Sequence, residues 1–319
     1  MKKKLMSLAG LFAAGCMLFS CSSEVKEANY QIIPIPQEIV LGQDGAFTLA
    51  NGTKVMYPEG NEKMQKNAQF LADYVKELTG NTLQVVAGTE GKGILLQVTP
   101  NEAQPEGYQL KVSADKVVIN GGSEAGVFYG IQTLRKSIPA GQGINVSLPA
   151  VEINDAPRFS YRGAMLDVSR HFFSMDELKR FIDMLALHNI NRFHWHLSED
   201  QGWRIEIKKY PELTRKGAWR GQNELLPPTY LSGAERYGGY YTQKEMKELI
   251  AYAQKRNVMI IPEFDLPGHA RSSTAVFGDV TCGTHTDKPS ACGEFDNVWC
   301  VGKESNYRIL ENIIKELGL

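Results

Sequence analysis

Residues 163–197 read GAMLDVSRHFFSMDELKRFIDMLALHNINRFHWHL, and this segment indicates the fold class of the second half of the chain. It begins with an apolar run that is typical of a buried strand. Ser174-Met-Asp-Glu177 is a capping box, which predicts the start of a helix with an apolar stripe. Residues 192–197, in which Phe193, Trp195 and Leu197 alternate with polar residues, predict the next strand. Because a strand, a helix and a strand in this order form a βαβ unit, the segment predicts a parallel sheet.

The same order of elements continues beyond this segment. Thr242-Gln-Lys-Glu245 is a second capping box, residues 258–261 are apolar, and residues 307–317 carry apolar side chains at helical spacing. Three strands, each followed by a helix, predict a parallel α/β fold. Proline suits a strand interior poorly, so we expect strand pairing to stop before Pro262.

The first half of the chain has a mixed pattern. Residues 63–78 and 123–137 predict amphipathic helices. Alternating apolar residues at 108–112 and 117–119 predict an antiparallel hairpin. We therefore expect a small α/β domain over residues 31–155 and a second domain over residues 156–319. Reactive side chains do not cluster along the first domain, which indicates a structural or docking role.

The N-terminus has the features of an export signal. Three lysines precede an apolar run, residues 5–19, that is too short to span a bilayer comfortably. Leu18-Phe19-Ser20-Cys21 resembles a bacterial lipobox. We expect residues 1–20 to be a lipoprotein signal peptide, Cys21 to carry the lipid, and residues 21–30 to be a tether. The predicted location is the membrane, on the periplasmic side or at the cell surface.

Composition excludes some classes of function. The chain has 35 Lys and Arg against 36 Asp and Glu, so no basic excess supports nucleic-acid binding. Cys282, Cys292 and Cys300 contain no CxxC spacing, which argues against a zinc site. The composition is that of an ordinary globular protein.

Polar residues follow each predicted strand of the second domain, and the carboxyl ends of parallel strands meet at one rim. The candidates from the three strands are Asp167, Ser169, Arg170 and His171; His194, His196, Glu199, Asp200 and Gln201; and Glu263, Asp265 and His269. The long connection 198–241 carries aromatic side chains that either stack on sugar rings or pack over the sheet.

The pair His194 and His196 has two interpretations. At positions i and i+2 of a strand, the two rings point to the same side. They are either hydrogen-bonded core histidines or, with Asp265 and His269, ligands of a metal-dependent barrel hydrolase. The second alternative predicts bound zinc and loss of activity on chelation.

Several motifs together resemble glycoside hydrolase family 20, the β-N-acetylhexosaminidases. They are EAGVFYGIQTLRK at 124–136, RGAMLDVSRHFF at 162–173, NRFHWHLSEDQGWRIEIKKYPELT at 191–214 and IIPEFDLPGHA at 260–270. The resemblance covers nearly everything from about residue 30 onward. It implies a small α/β domain followed by a (β/α)₈ TIM barrel, of which about three of eight units are present.

The resemblance also implies an activity. An exo-β-N-acetylhexosaminidase releases terminal β-linked GlcNAc or GalNAc from glycans through an oxazolinium intermediate that the substrate's own acetamido group forms. A Glu protonates the leaving oxygen, and an adjacent Asp orients the acetamido group. The expected partners are glycans that contain N-acetylhexosamine. No metal or other cofactor is implied.

Site residues carry over from the resemblance by position. Arg170 is expected to hold hydroxyls of the terminal sugar, with Asp265 and His269 supporting the network and His196 among the lining residues. Glu199-Asp200 stands where the family usually has Asp-Asp, so the Glu199 carboxylate lies one methylene farther from the backbone than the family's Asp. Related enzymes also carry a disulfide at the positions of Cys282 and Cys300.

The family's catalytic Asp-Glu pair belongs to a His-x-Gly-Gly-Asp-Glu motif that this sequence does not contain. We expect that pair beyond Leu319, and hence the N-terminal part of a longer enzyme that is inactive alone. The alternative is a non-catalytic glycan-binding lipoprotein.

Overall fold

The computed structural model describes residues 24–228, 233–283 and 298–318. The predicted signal peptide, the anchor residue Cys21 and the remaining cysteine, Cys292, lie outside these ranges. Among the helices that the structure describes, none has the length and apolar character needed to cross a membrane.

The N-terminal domain is built on one eight-stranded mixed sheet. Its elements are β1 (Val25–Glu27), β2 (Glu38–Leu49), β3 (Lys54–Tyr57), α1 (Glu62–Thr79), β4 (Gln84–Ala87), β5 (Gly93–Val98), β6 (Tyr108–Val112), β7 (Lys116–Gly121), α2 (Glu124–Ser137) and β8 (Asn145–Asp155). The strand order is β1-β8-β6-β7-β5-β3-β4, and β2 also pairs with β8. The predicted helices and the antiparallel hairpin β6–β7 are confirmed.

One face of this sheet forms the hydrophobic core with α1 and α2. Strand register aligns Leu96, Ile119, Leu110 and Ile153, which are all fully buried. Burying an aliphatic side chain of this size stabilises the fold by about 1.5–3 kcal/mol. The residues on either side of each of these point to the opposite face, because side chains alternate along a strand.

The second domain contains a three-stranded parallel sheet and its helices. The elements are β9 (Gly163–Asp167), α3 (Met175–Leu187), β10 (Arg192–His196), β11 (Ser198–Glu199), β12 (Gly202–Trp203), α4 (Glu212–Arg215), β13 (Trp219–Arg220), β14 (Tyr237–Gly238), α5 (Gln243–Gln254), β15 (Met259–Glu263), α6 (Arg271–Phe277) and α7 (Glu304–Leu317). The sheet order is β15-β10-β9. Both predicted capping boxes are present, at Ser174 and Thr242.

The expectation that pairing stops before Pro262 is wrong. Pro262 and Glu263 are in register with Trp195 and His196 of β10. The Glu263 carbonyl accepts from the backbone N–H of Leu197 at 2.8 Å, so the peptide groups at 263 face β10. Alternate residues face the other side, and β15 pairs only with β10 among the described strands. The N–H that proline lacks would have pointed to the unpaired side of this edge strand. The presence of Pro262 therefore removes no hydrogen bond from the sheet.

A polar cluster joins the two domains, and we call it the Glu106 cluster. The Glu106 carboxylate accepts from Arg162 Nη1 at 2.9 Å and Nη2 at 3.3 Å, from Tyr129 Oη at 3.2 Å and from Asn191 Nδ2 at 3.2 Å. Arg162 Nε also donates to the Asn189 carbonyl at 2.6 Å. The start of β9 is thereby held against the N-terminal domain.

Cys282 and Cys300 form a disulfide bond, with their Cα atoms 4.8 Å apart. This is the pair that the family resemblance implies. The backbone N–H of Cys300 donates to the Val280 carbonyl at 2.7 Å, so the bond ties the start of α7 to the segment after α6.

Candidate active site

The site begins at the carboxyl end of β9, where Asp167 positions Arg170. Asp167 Oδ1 accepts from the backbone N–H groups of Ser169 at 2.9 Å and Arg170 at 3.0 Å, which folds the chain into a tight turn. The other carboxylate oxygen accepts from Arg170 Nη1 at 2.8 Å. One carboxylate therefore sets both the backbone and the side-chain direction of Arg170.

The Arg170 guanidinium extends from β9 toward the segment that follows β10. Its Nη2 forms an ion pair with Glu199 Oε1, and its Nη1 lies 3.3 Å from His196 Nε2. The Arg170 side chain is 37% exposed, whereas that of Glu199 is 2% exposed. The arginine thus keeps donor capacity at the surface of the site while a buried carboxylate holds its other edge.

Glu199 is the most buried carboxylate of the predicted set. Burial raises the pKa of its carboxyl above the ordinary value, and the Asp200 backbone N–H, Arg170 and His269 offset this only in part. Glu199 accepts from the Asp200 N–H at 2.9 Å, and its Oε1 lies 2.9 Å from His269 Nδ1. A single carboxylate therefore links β9, β10 and the segment after β15.

Beneath Arg170, two histidines share one acid. His196 Nδ1 lies 2.7 Å from Glu263 Oε2, and His194 Nε2 contacts the same oxygen. Burial acts to raise the pKa of Glu263, but its hydrogen bonds and attraction to His196 and His194 outweigh this and leave the pKa below its ordinary value. Both histidines are therefore hydrogen-bonded, as the first interpretation predicts, but His196 alone of the two is a buried core residue, since the His194 side chain is 39% exposed.

The turn after β15 brings His269 to the site. His269 adopts a φ of 52°, in the left-handed region that residues other than glycine seldom occupy. This backbone geometry aims the ring at Glu199. The Asp265 backbone N–H donates to Ser198 Oγ at 2.8 Å, which fixes the start of the turn against β11. Strained backbone of this kind is frequent at functional sites.

All six predicted site residues come together at this rim. The ligand atoms of His196, Glu199 and Asp265 lie within 4.8 Å of one another, as do those of Glu199, Asp200 and His269. Asp200 Oδ1 accepts from the backbone N–H of Arg271 at 3.0 Å, at the start of α6. Asp200 thus supports the helix, while His196, Asp265 and His269 lie around Glu199, which pairs with Arg170.

The metal-hydrolase alternative does not fit this geometry. It requires a set of metal ligands that includes both His194 and His196. The His194 ring instead contacts Glu263, and His194 belongs to neither of the two groups of possible metal ligands found among the described residues. Both clusters depend on Glu199, whose carboxylate already pairs with the Arg170 guanidinium. A divalent cation there would face that positive charge at close range.

Two buried arginines were missed from the sequence. Arg204 is fully buried and donates to four backbone carbonyls: Val168 at 3.0 Å, Ser169 at 2.6 Å, Ala218 at 2.6 Å and Gly239 at 2.9 Å. It therefore fastens the long connection 198–241 to the end of β9. The available signal was a basic residue within the otherwise apolar run Trp203-Arg204-Ile205.

Arg220 supports the same region from β13. Its Nη2 donates to the Arg170 carbonyl at 2.8 Å, and its Nη1 donates to the Gln201 carbonyl at 3.2 Å. Its guanidinium lies 4.5 Å from the centre of the Tyr237 ring. Tyr237 Oη in turn accepts from the Phe172 N–H at 3.0 Å, so the turn that carries Arg170 is held from two sides.

The aromatic residues of the connection divide into two groups. Trp203 and Tyr241 are buried and pack in the core, as the packing interpretation predicts. Tyr240 is 37% exposed, and Trp219 is half-buried beneath Arg236, whose guanidinium lies 3.6 Å from the ring centre. Tyr230 lies outside the described residues.

Comparison with known proteins gives consistent results for both domains. Residues 159–318 match the family model described as glycosyl hydrolase family 20, catalytic domain, and residues 29–156 match glycosyl hydrolase family 20, domain 2. The chain is 36% identical to a beta-hexosaminidase of Porphyromonas gingivalis, with 94% of this chain and 39% of that protein aligned. It is 34% identical to a beta-hexosaminidase of Vibrio furnissii, with 91% and 47% aligned.

Solved structures show the same similarity. A GH20 exo beta-N-acetylglucosaminidase from Vibrio harveyi in complex with N-acetylglucosamine superposes with a TM-score of 0.81 at 32% identity, covering 92% of this chain and 46% of that one. For a Streptomyces plicatus N-acetyl-beta-hexosaminidase the TM-score is 0.77 at 32% identity, with 90% and 56% covered. The chain spans less than half the length of the two curated relatives.

Proposed function

This chain belongs to glycosyl hydrolase family 20, and from that premise we propose that it forms the sugar-holding part of an exo-β-N-acetylhexosaminidase. Its substrates are glycans that end in β-linked GlcNAc or GalNAc. The observation that carries the proposal is the position of Arg170, held between Asp167 and Glu199 with part of its guanidinium exposed at the rim.

The chemistry of this group suits a sugar hydroxyl pair. A guanidinium presents several N–H donors in a fixed plane, so it can donate to two neighbouring hydroxyls at once. The carboxylates of Glu199 and Asp265 accept hydrogen bonds, and His269 completes the wall of the site. Positioning the sugar in this way favours attack by its own acetamido oxygen, because the nucleophile is bound together with the substrate.

We propose three further features of this protein. β9, β10 and β15 would be the first three strands of a (β/α)₈ barrel. The proton donor and the Asp that orients the acetamido group would come from the Asp-Glu motif, which this sequence does not contain. Export and anchoring through a lipid on Cys21 would place the site outside the cytoplasm.

The test is binding of N-acetylglucosamine to the purified chain, measured by titration calorimetry. Arg170→Met should weaken binding about 10-fold or more, since a charge-assisted hydrogen bond contributes about 1.5–3 kcal/mol. Arg215→Met is the matched control, because the Arg215 side chain is 71% exposed and forms an ion pair with Glu212 of the same short helix, α4. Equal affinity in the Arg170→Met and unaltered chains would contradict the assignment. Release of p-nitrophenol from p-nitrophenyl N-acetylglucosaminide by this chain would contradict the placement of the acid.

A further inference from the structure

The face of the N-terminal sheet opposite α1 and α2 carries a row of side-chain amides. Gln97 of β5 is in register with Asn120 of β7, and Asn120 with Gln109 of β6. Gln109 is in register with Asn154 of β8, and Glu38 of β2 continues the row. Neighbouring strands are about 4.8 Å apart, so the row is about 19 Å long. We call these five residues the amide row.

Exposure of this face to solvent is not sufficient to explain why the row consists mainly of amide side chains. The adjacent row on the same face mixes apolar and charged residues: Leu95, Val118, Lys111, Glu152 and Val40. Asparagine is also depleted in strands, because its side chain competes with the backbone for hydrogen bonds. Two asparagines and two glutamines aligned across four neighbouring strands therefore indicate a function.

Hydrogen bonds fix the planes of three of these amides, those of Gln109, Asn120 and Asn154. Gln109 Nε2 donates to Asn154 Oδ1 and to Glu152 Oε1, each at 3.0 Å, and Asn154 Nδ2 donates to Glu38 Oε2 at 3.0 Å. Thr99 Oγ1 donates to Asn120 Oδ1 at 3.1 Å. A primary amide has two N–H donors and two acceptor lone pairs. The ordered row therefore keeps both donors and acceptors for an outside partner.

A groove of about 500 Å³ is lined by four of the five residues of the row, namely Glu38, Gln109, Asn120 and Asn154. It is located where β5, β7 and β8 end, and Asn101 and Gln104 from the connection after β5 form one of its walls. Sheets of α/β domains commonly bind ligands outside the carboxyl ends of their strands. A volume of this size is also within the range of known ligand sites.

We propose that the amide row is a second glycan site, which binds a neutral, extended oligosaccharide. Sugar hydroxyls and acetamido groups both donate and accept hydrogen bonds, as the amides do. Glu38 and Asp155 line the same groove, and their negative charge disfavours sulfated or phosphorylated polymers. The site belongs to a different domain from Arg170. It therefore goes beyond the proposed function, and it stands or fails independently of it.

The test uses the full chain with Arg170→Met already in place, so that binding at the rim site is weakened by about 10-fold or more. The probe is the pentamer of β-1,4-linked N-acetylglucosamine, and binding is measured by calorimetry. Adding Asn120→Val and Asn154→Val should weaken binding about 30-fold, which corresponds to losing two amide hydrogen bonds. Valine favours strands, so the sheet should fold, and an unchanged melting temperature checks this.

The matched control is Lys111→Val, which alters the adjacent row on the same face and should leave pentamer affinity unchanged. A heparin fragment is the anionic comparison and should bind more weakly than the pentamer. Absence of pentamer binding in the Arg170→Met chain, or equal affinity after the two valine substitutions, would overturn the inference. Tighter binding of heparin, or equal weakening by Lys111→Val, would also overturn it.

Discussion

Replacement of Glu106 by Gln should loosen the contact between the two domains. The substitution keeps the size of the side chain but removes the charge and one acceptor oxygen from a carboxylate that receives four hydrogen bonds. Arg162 then remains at the interface without an opposite charge. Its side chain is 14% exposed and that of Glu106 is 25% exposed, so water screens the loss only in part.

The expected loss of unfolding free energy follows from how deeply Glu106 and Arg162 are buried. Removing one partner of a fully buried ion pair costs about 3–5 kcal/mol, and partial exposure reduces this to about 2–3 kcal/mol. In a chain of this size, 1 kcal/mol corresponds to about 2–4 °C in melting temperature. We therefore expect Glu106→Gln to lower the melting temperature by about 4–12 °C.

The effect should depend on pH in a defined direction. Burial acts to raise the pKa of Glu106, but Arg162, Asn191 and Tyr129 outweigh it and hold the pKa below its ordinary value of 4.5. A carboxyl with a lowered folded-state pKa contributes its full stability above the unfolded pKa and loses it as pH falls through the folded pKa. The stability difference between the two chains should therefore be complete at neutral pH and shrink below pH 4.5.

The assay is urea unfolding of both chains at neutral and acidic pH, with Glu102→Gln as the control. Glu102 is an exposed acid in the same connection, so its substitution should have little effect. A double-mutant cycle with Arg162→Met measures the interaction energy between Glu106 and Arg162. Additive effects of Glu106→Gln and Arg162→Met, or a stability difference that does not change with pH, would refute the reasoning.

Two further predictions concern the second domain. Arg204→Met removes a donor from four backbone carbonyls, of which the Ala218 carbonyl still accepts from the Gly239 N–H at 3.3 Å. The loss should cost at least about 3 kcal/mol of unfolding free energy, measured in urea. Arg204→Lys should restore only part of it because one ammonium cannot reach all four carbonyls, and a fully stable Met variant would contradict this. Cys300→Ser opens a bond between cysteines 18 residues apart, and should cost about 3 kcal/mol of unfolding free energy. Unchanged urea midpoints with and without reductant would argue against that contribution.

Local signals in the sequence predicted the elements well. The capping boxes at Ser174 and Thr242 define helix starts through residues only three positions apart, so they survive any tertiary arrangement. The convergence of Arg170, Glu199 and His269 was also predictable, because strand ends in a parallel sheet meet at one rim.

The features that escaped prediction depend on which strands become neighbours. The amide row exists only because five strands pair in a particular register, and its members are 11 or more residues apart along the chain. Pro262 was misjudged because its compatibility with pairing depends on which side of β15 remains unpaired. The partners of Arg204 lie on three separate segments, which no local pattern indicates.

The hydrogen bonds of Arg204 determine which parts of the long connection 198–241 can change in sequence without releasing it from β9. The four carbonyls that it binds belong to the end of β9 and to the bases of β13 and β14, not to residues 221–236 between those strands. Substitutions at positions 222–228 therefore leave these four hydrogen bonds and the turn that carries Arg170 in place. Sequence change can accumulate in this part of the connection while its attachment to the end of β9 stays fixed.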